Sequence, residues 1–242
     1  MVIAPTLAAV LTIGAPTTAP APKTLHARPV VYVQAGHQGP REPGYRAQTG
    51  ASGEAAWTQA IAAKVEYRLR RKGVDARHTA GLVTPNPAPG AVFISIHYDI
   101  PSGHAAVGHA IAGYGENYYH GDGFGLPSST PYSDTVPHRG ATRVSRGVEA
   151  ASTRLAKRLA ARYTRVFTPA NGARSGPVQL VTSTGNRRMM RYYGYYRSSA
   201  PARVLVECGA VGTDAAFLKR KDFVAGVIAN AIVDHLRAEG RL

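Results

Sequence analysis

A three-layer α/β sandwich, in which helices flank a central, mainly parallel twisted β-sheet, is the fold predicted by the sequence. Three observations predict it. Residues 30–33, 91–96 and 204–206 are short, mainly apolar runs rich in β-branched residues, the pattern of strands buried on both faces. Between and beyond them lie longer stretches with apolar residues three or four positions apart, as amphipathic helices require. Strand and helix alternate along the chain, which is how a parallel sheet with covering helices is written.

The elements follow in order. Residues 30–33 form the first strand and run into Ala35-Gly36, a loop entry. Over residues 54–72 Trp57, Ile61, Val65 and Leu69 recur every fourth position, and Gly73 supplies a helix stop. A second strand is expected at 74–78. The breaker-rich segment 85–90 then leads into the third strand at 91–96. Residues 100–140 are rich in Gly, Tyr, His and Ser with little periodicity, and read as a long functional loop or lid with a short strand near 108–114. Helix returns at 142–163, where Val148, Leu155 and Leu159 mark the buried stripe. Arg143, Arg146, Arg154, Lys157, Arg158 and Arg162 fill its other faces as a solvated surface. Strands near 178–182 and 203–206 and a closing helix at 223–236 complete the set, and no internal repeat is present.

Composition narrows the class. A chain of 242 residues accommodates one domain with an extension. The domain is expected over residues 29–242 and the extension over residues 1–28. With 44% hydrophobic and 18% charged residues, wholesale disorder is excluded. Residues 1–22 carry no charge, and Ala19-Pro20-Ala21 behind an apolar run looks like a signal-peptide cleavage site. The positive region that normally opens such a signal is missing, which favours a disordered leader. The apolar run is also too short for an integral membrane anchor, which needs about 20 residues. The net charge of +15 calls for an anionic partner: nucleic acid, an acidic lipid surface or the anionic polymers of a cell envelope. A single cysteine, Cys208, excludes a disulfide framework and leaves any metal site to His and carboxylates.

Ligands in open α/β sheets bind beyond the carboxyl ends of the strands. His37 follows the first strand, His97 ends the third and Glu207 ends the last, so all three are expected at one rim. Glu54 opens the first long helix and reaches the same rim. Two His and a Glu form a zinc ligand set that leaves a coordination position open, and Glu207 remains as a base. Each residue also has a plainer reading. A lone strand-end His is more often solvated or packed, and Glu54 is favourable at a helix start by up to about 1 kcal/mol on dipole grounds alone. A glutamate closing the apolar run 204–206 is harder to explain by packing.

These residues resemble a family. Gly36-His37-Gln38-Gly39, Gly53-Glu54 at a helix start, Phe93-Ile94-Ser95-Ile96-His97 and Val204-Leu205-Val206-Glu207-Cys208-Gly209 are similar, in order and approximate spacing from residue 29 onward, to the motifs of zinc-dependent N-acetylmuramoyl-L-alanine amidases of the amidase 3 type. The resemblance implies a peptidoglycan hydrolase that cleaves the amide between N-acetylmuramic acid and L-alanine of the stem peptide. By it His37, Glu54 and His97 are zinc ligands and Glu207 is the catalytic glutamate. It departs from the family pattern at Gln38, Asp99 and Ala210, and the segment 79–90 is short and lacks the family's helix, which implies a more open groove. The implied setting is the bacterial cell wall, reached by secretion or by release from the host cytoplasm during lysis. A phage endolysin and an envelope-remodelling hydrolase both fit it.

Other features compete for a role. Cys208 is a poor nucleophile candidate, since no base is singled out beside it and a buried thiol is the commoner case. His104, His109, His120 and His138 fall in the loose segment, with His109 the best placed to supply a second metal ligand or a hydrogen-bond donor. Residues 186–197 interleave Arg with Tyr, as do sites that stack bases or sugar rings, and with Tyr114, Tyr118 and Tyr119 they are candidates to flank a groove. The rival readings are a nucleic-acid-binding protein and a non-catalytic wall-binding domain of the same fold. Neither explains two His and two Glu at one rim, so nucleic acid is not the expected partner.

Overall fold

The computed structural model describes residues 27–37, 50–79, 90–112, 144–174, 176–182 and 198–242. The leader 1–26, the segments 38–49 and 80–89, most of the loop 100–140 and the Arg/Tyr segment 186–197 lie outside the described residues.

Among the described residues six strands form one sheet: β1 (Val30–Ala35), β2 (Asp75–Thr79), β3 (Val92–Asp99), β4 (Ala106–His109), β5 (Gln179–Thr182) and β6 (Ala202–Ala210). Their spatial order is β2-β1-β3-β6-β4-β5. Pairs β1–β2, β1–β3 and β3–β6 are parallel, whereas β4 runs antiparallel to β6 and carries β5 parallel to itself. The mainly parallel sheet is therefore observed, with a reversed pair at one edge. Central β3 and β6 are buried along nearly their whole length, as their apolar composition demands.

Among the described residues four α-helices accompany the sheet: α1 (Glu54–Arg70), α2 (Arg146–Val166), α3 (Ala215–Lys219) and α4 (Lys221–Ala238). Helix α1 starts behind Gly53, and its fourfold stripe Trp57, Ile61, Val65 and Leu69 is buried as expected. Ser145 caps α2, accepting the Val148 N–H at 3.2 Å. One large core unites these helices with Val31, Val33, Ala35, Val92, Ile94, Ile96, Val204, Val206 and Cys208. A smaller cluster around Phe93 and Leu205 occupies the alternate positions of the strands. Among the described residues no helix is long and apolar enough to cross a membrane.

Some expectations are corrected. The short strand comes at Ala106–His109 rather than near 108–114, and α3 and the 3-10 turn Pro169–Asn171 had no periodic signature to announce them. Arg154 and Arg162 keep to the expected solvated face and pair there with the end of α4: Arg154 forks onto Glu239, just past the helix, at 2.8 and 2.9 Å and Arg162 donates to Asp234 at 2.7 Å.

Candidate metal centre

The end of β1, the start of α1 and the end of β3 are tied together by buried hydrogen bonds. Thr58 donates its hydroxyl proton to the Gly36 carbonyl at 2.6 Å. Tyr98 donates to the Ser52 carbonyl at 2.5 Å and packs edge-on against Trp57 at 5.3 Å. The Trp57 indole donates to the Leu218 carbonyl at 2.8 Å, which anchors α1 on α3. Loop backbone is thereby fixed where His37 and Glu54 emerge.

His37, Glu54 and His97 meet in this corner, each offering a ligand atom within 4.8 Å of the others. Glu54 Oε1 lies 3.5 Å from His37 Nε2 and 3.1 Å from His97 Nδ1. Zinc bonds of about 2.1 Å in a tetrahedron place neighbouring ligand atoms about 3.4 Å apart, so these edges already match. The imidazoles meet edge to face, with centroids 4.9 Å apart. Glu54 is further held by N–H groups of Ala51, at 2.8 Å to Oε2, and Tyr98, at 3.2 Å to Oε1.

The cradle is built around these side chains. A Cβ on Gly36 would come within 2.5 Å of His97 Nδ1, and one on Gly50 within 2.5 Å of Glu54 Oε2 and 2.6 Å of the His37 ring. His37 itself adopts a left-handed φ of 58°, unusual for a residue with a side chain and typical of strain kept at a functional site.

Electrostatics point the same way. Burial and the neighbouring His97 push the His37 pKa down to about 4, against the pull of Glu54. For Glu54 burial opposes ionisation, but the hydrogen bond and charge of His97, the charge of His37 and the Ala51 N–H outweigh it and hold its pKa below the usual range. Burial acts to lower the His97 pKa, and the Glu54 hydrogen bond with the charges of Glu207 and Glu54 overrides it in the upward direction. Two imidazoles and an ionised carboxylate converging in a buried corner suit a divalent cation of the zinc class.

Glu207 stands beside the triad as the register partner of His97 across the β3–β6 pair. Its Oε2 is sealed from solvent and has no hydrogen-bond partner among the described residues. Burial pushes its pKa up to about 7; His97 opposes the rise, and Glu54 and Asp99 add to it. Just past Glu207 the register slips, and Asp214 accepts the Ala210 N–H at 2.8 Å to pin the irregular strand end.

The structure thus brings the three strand-end candidates and Glu54, at the start of α1, to one rim. The lesser ones stay away. His109 pairs in register with Val204, three residue pairs down the ladder from Glu207, and its Nδ1 faces the Ala110 carbonyl at 3.2 Å. His104 is exposed, with Nδ1 against its neighbour Gly103. His120 and His138 lie outside the described residues, as do Tyr114, Tyr118 and Tyr119. Cys208 alternates onto the opposite face of β6, in the large core, where burial raises its thiol pKa far from any nucleophilic range. Asp99 turns its carboxylate to the loop, accepting N–H groups of Ile100 at 2.8 Å and His104 at 3.3 Å. Sequence reading passed over Gln34 and Ser95, polar residues inside strands where apolar side chains were expected. Ser95, two residues before His97 and so on the same face, was the available signal.

No family model and no curated protein matches the sequence. Solved structures do. The N-acetylmuramoyl-L-alanine amidase AmiC2 of Nostoc punctiforme superposes with a TM-score of 0.51 at 15% identity, over 87% of this chain and 98% of that one. The CwlD amidase of Clostridioides difficile, solved in complex with the GerS lipoprotein, gives 0.51 at 14% identity, over 87% of this chain and all of its own, 100%. The chain therefore has the fold of these N-acetylmuramoyl-L-alanine amidases.

Proposed function

We propose that the chain is a peptidoglycan hydrolase, a zinc-dependent N-acetylmuramoyl-L-alanine amidase acting on the bacterial cell wall. The observation that carries this reading is the convergence of His37, Glu54 and His97 within 4.8 Å of one another beside a glutamate with a sealed, unpartnered oxygen. The shared fold supports the substrate class. The domain would extend from residue 29 to the C-terminus.

His37 Nε2, Glu54 Oε1 and His97 Nδ1 would hold the zinc. Zinc when bound supplies a Lewis acid for the scissile carbonyl and lowers the pKa of water from about 15.7 to about 7. Everything else falls to the chain. Glu54 keeps its negative charge chiefly through the hydrogen bond and charge of His97, to which the Ala51 N–H adds. The Glu207 carboxylate takes a proton from the attacking water as the carbon–oxygen bond forms. It returns that proton to the stem-peptide nitrogen as the carbon–nitrogen bond breaks, and the remaining acid proton passes to the released amine, leaving a lactyl carboxylate and an L-alanine ammonium group. The net charge of +15 would draw the protein to anionic envelope polymers.

The test is incubation of zinc-loaded protein with soluble muropeptides, followed by mass spectrometry. Separation of the glycan lactyl acid from an intact stem peptide supports the reading. Cleavage within the peptide or the glycan, or none, contradicts it.

A further inference from the structure

A hydrogen-bonded relay lies in the sheet beneath the triad. Gln34 and Ser95 are register partners on β1 and β3, and both are buried, at 1% and 0% exposure. The Ser95 hydroxyl donates to Gln34 Oε1 at 2.6 Å. On its other side Ser95 Oγ lies 3.0 Å from His97 Nε2. A serine hydroxyl has one proton. With that proton given to Gln34, Ser95 can meet His97 only as an acceptor, so the proton between them must sit on Nε2.

We propose that Gln34 and Ser95 are positioning residues that hold a proton on Nε2 of His97 and so aim Nδ1 at Glu54, as an N–H donor in the metal-free protein and as a lone pair when a cation is bound. The consequence for a metal rests on the zinc reading given above; the position of the proton does not. The relay explains a feature otherwise costly to the fold. Gln34 and Ser95 occupy strand positions that an apolar pair would fill without burying two polar side chains, and buried polar groups are retained at a cost unless every one is paired. It also gives direction to the corner. With Nε2 committed as a donor, Nδ1 at 3.1 Å from Glu54 Oε1 is the nitrogen left to share a cation with that carboxylate. A metal-bound histidine commonly gives its other ring N–H to an oxygen acceptor, and removing such an acceptor typically weakens metal binding about 10- to 100-fold.

The experiment reads proton positions directly. Long-range proton–nitrogen NMR on the metal-free and the zinc-loaded protein reports which ring nitrogen of His97 carries hydrogen, and chelator competition reports zinc affinity. Wild type, Ser95→Ala, Ser95→Thr and Gln34→Met are compared, with near-UV circular dichroism to confirm folding. The relay predicts a proton on Nε2 in both states of wild type. It predicts at least tenfold weaker zinc binding in Ser95→Ala, recovery in Ser95→Thr, and an intermediate loss in Gln34→Met, where Ser95 is released to donate to Nε2 instead. An unprotonated Nε2 in either state of wild type overturns it, as does unchanged zinc affinity in both Ser95→Ala and Gln34→Met. A wild type that binds no zinc while keeping the Nε2 proton retains the relay and contradicts the zinc reading instead.

Discussion

His97 and Glu207 are register partners across adjacent parallel strands, which sets a potential ligand and a potential base side by side at the end of the sheet. Their carboxyl-end position is the one that open α/β sheets use for ligands. The pairing assigns the two residues separable tasks: His97 is tied to Glu54 through Nδ1, while Glu207 leaves Oε2 unclaimed.

Separable tasks predict separable losses. Glu207→Gln is expected to lower kcat about 10²- to 10⁴-fold while zinc content stays at one per chain, because a base is removed and no ligand is. Metal analysis alongside turnover checks this. Loss of metal together with activity would place Glu207 among the ligands.

The raised pKa of Glu207 carries a sign. Its folded value of about 7 exceeds the ordinary 4.5, so the native state binds the proton more tightly than the unfolded chain does. The native state is favoured below about pH 4.5, and that advantage is lost as pH rises to about 7. Metal-free Glu207→Gln should therefore melt above wild type at pH 8 and close to it at pH 4. Equal melting temperatures at pH 8 would show that the carboxylate carries no burial cost.

Close packing of the cradle gives a test away from the ionisable groups. In Gly36→Ala the new methyl would occupy the space of the His97 ring, within 2.5 Å of Nδ1. Overpacking of this kind costs about 1 to 3 kcal/mol. Zinc affinity should fall at least tenfold with His97 displaced, as read by chelator competition; unchanged affinity would mean the ring moves freely.

Attraction to an anionic wall would be screened by salt. With a net charge of +15, binding of Glu207→Ala protein to purified walls should weaken markedly between about 0.05 and 0.5 M salt, as the Debye length shortens. Salt-indifferent sedimentation with walls would assign binding to the groove alone.

Much of this site was legible in the sequence because strand ends were. His97 ends the five-residue stretch Phe93 to His97, and Glu207 closes the apolar run 204–206, so strand pattern placed both at the rim from sequence alone. Glu54 was harder to assign, since a first-turn acid has a helix-dipole reading that only its 3.1 Å approach to His97 displaces. Gly50 carried no local signal, because its need for a missing Cβ arises from Glu54 and His37 arriving from other segments. The reversal of β4 and β5 was illegible for a similar reason. Four-residue strands specify burial but not direction, and direction is set by how β4 pairs with β6. Ser95 and Gln34 look like defects in apolar strands until register makes them partners.

The most direct measurement is clearing of purified peptidoglycan by native protein, by chelator-treated protein before and after zinc is restored, and by Glu207→Ala, with analysis of the ends released. Zinc-dependent loss of turbidity that frees L-alanine amino termini, and that vanishes in Glu207→Ala while zinc still binds, is the predicted result. Clearing that survives both chelation and the substitution would contradict it.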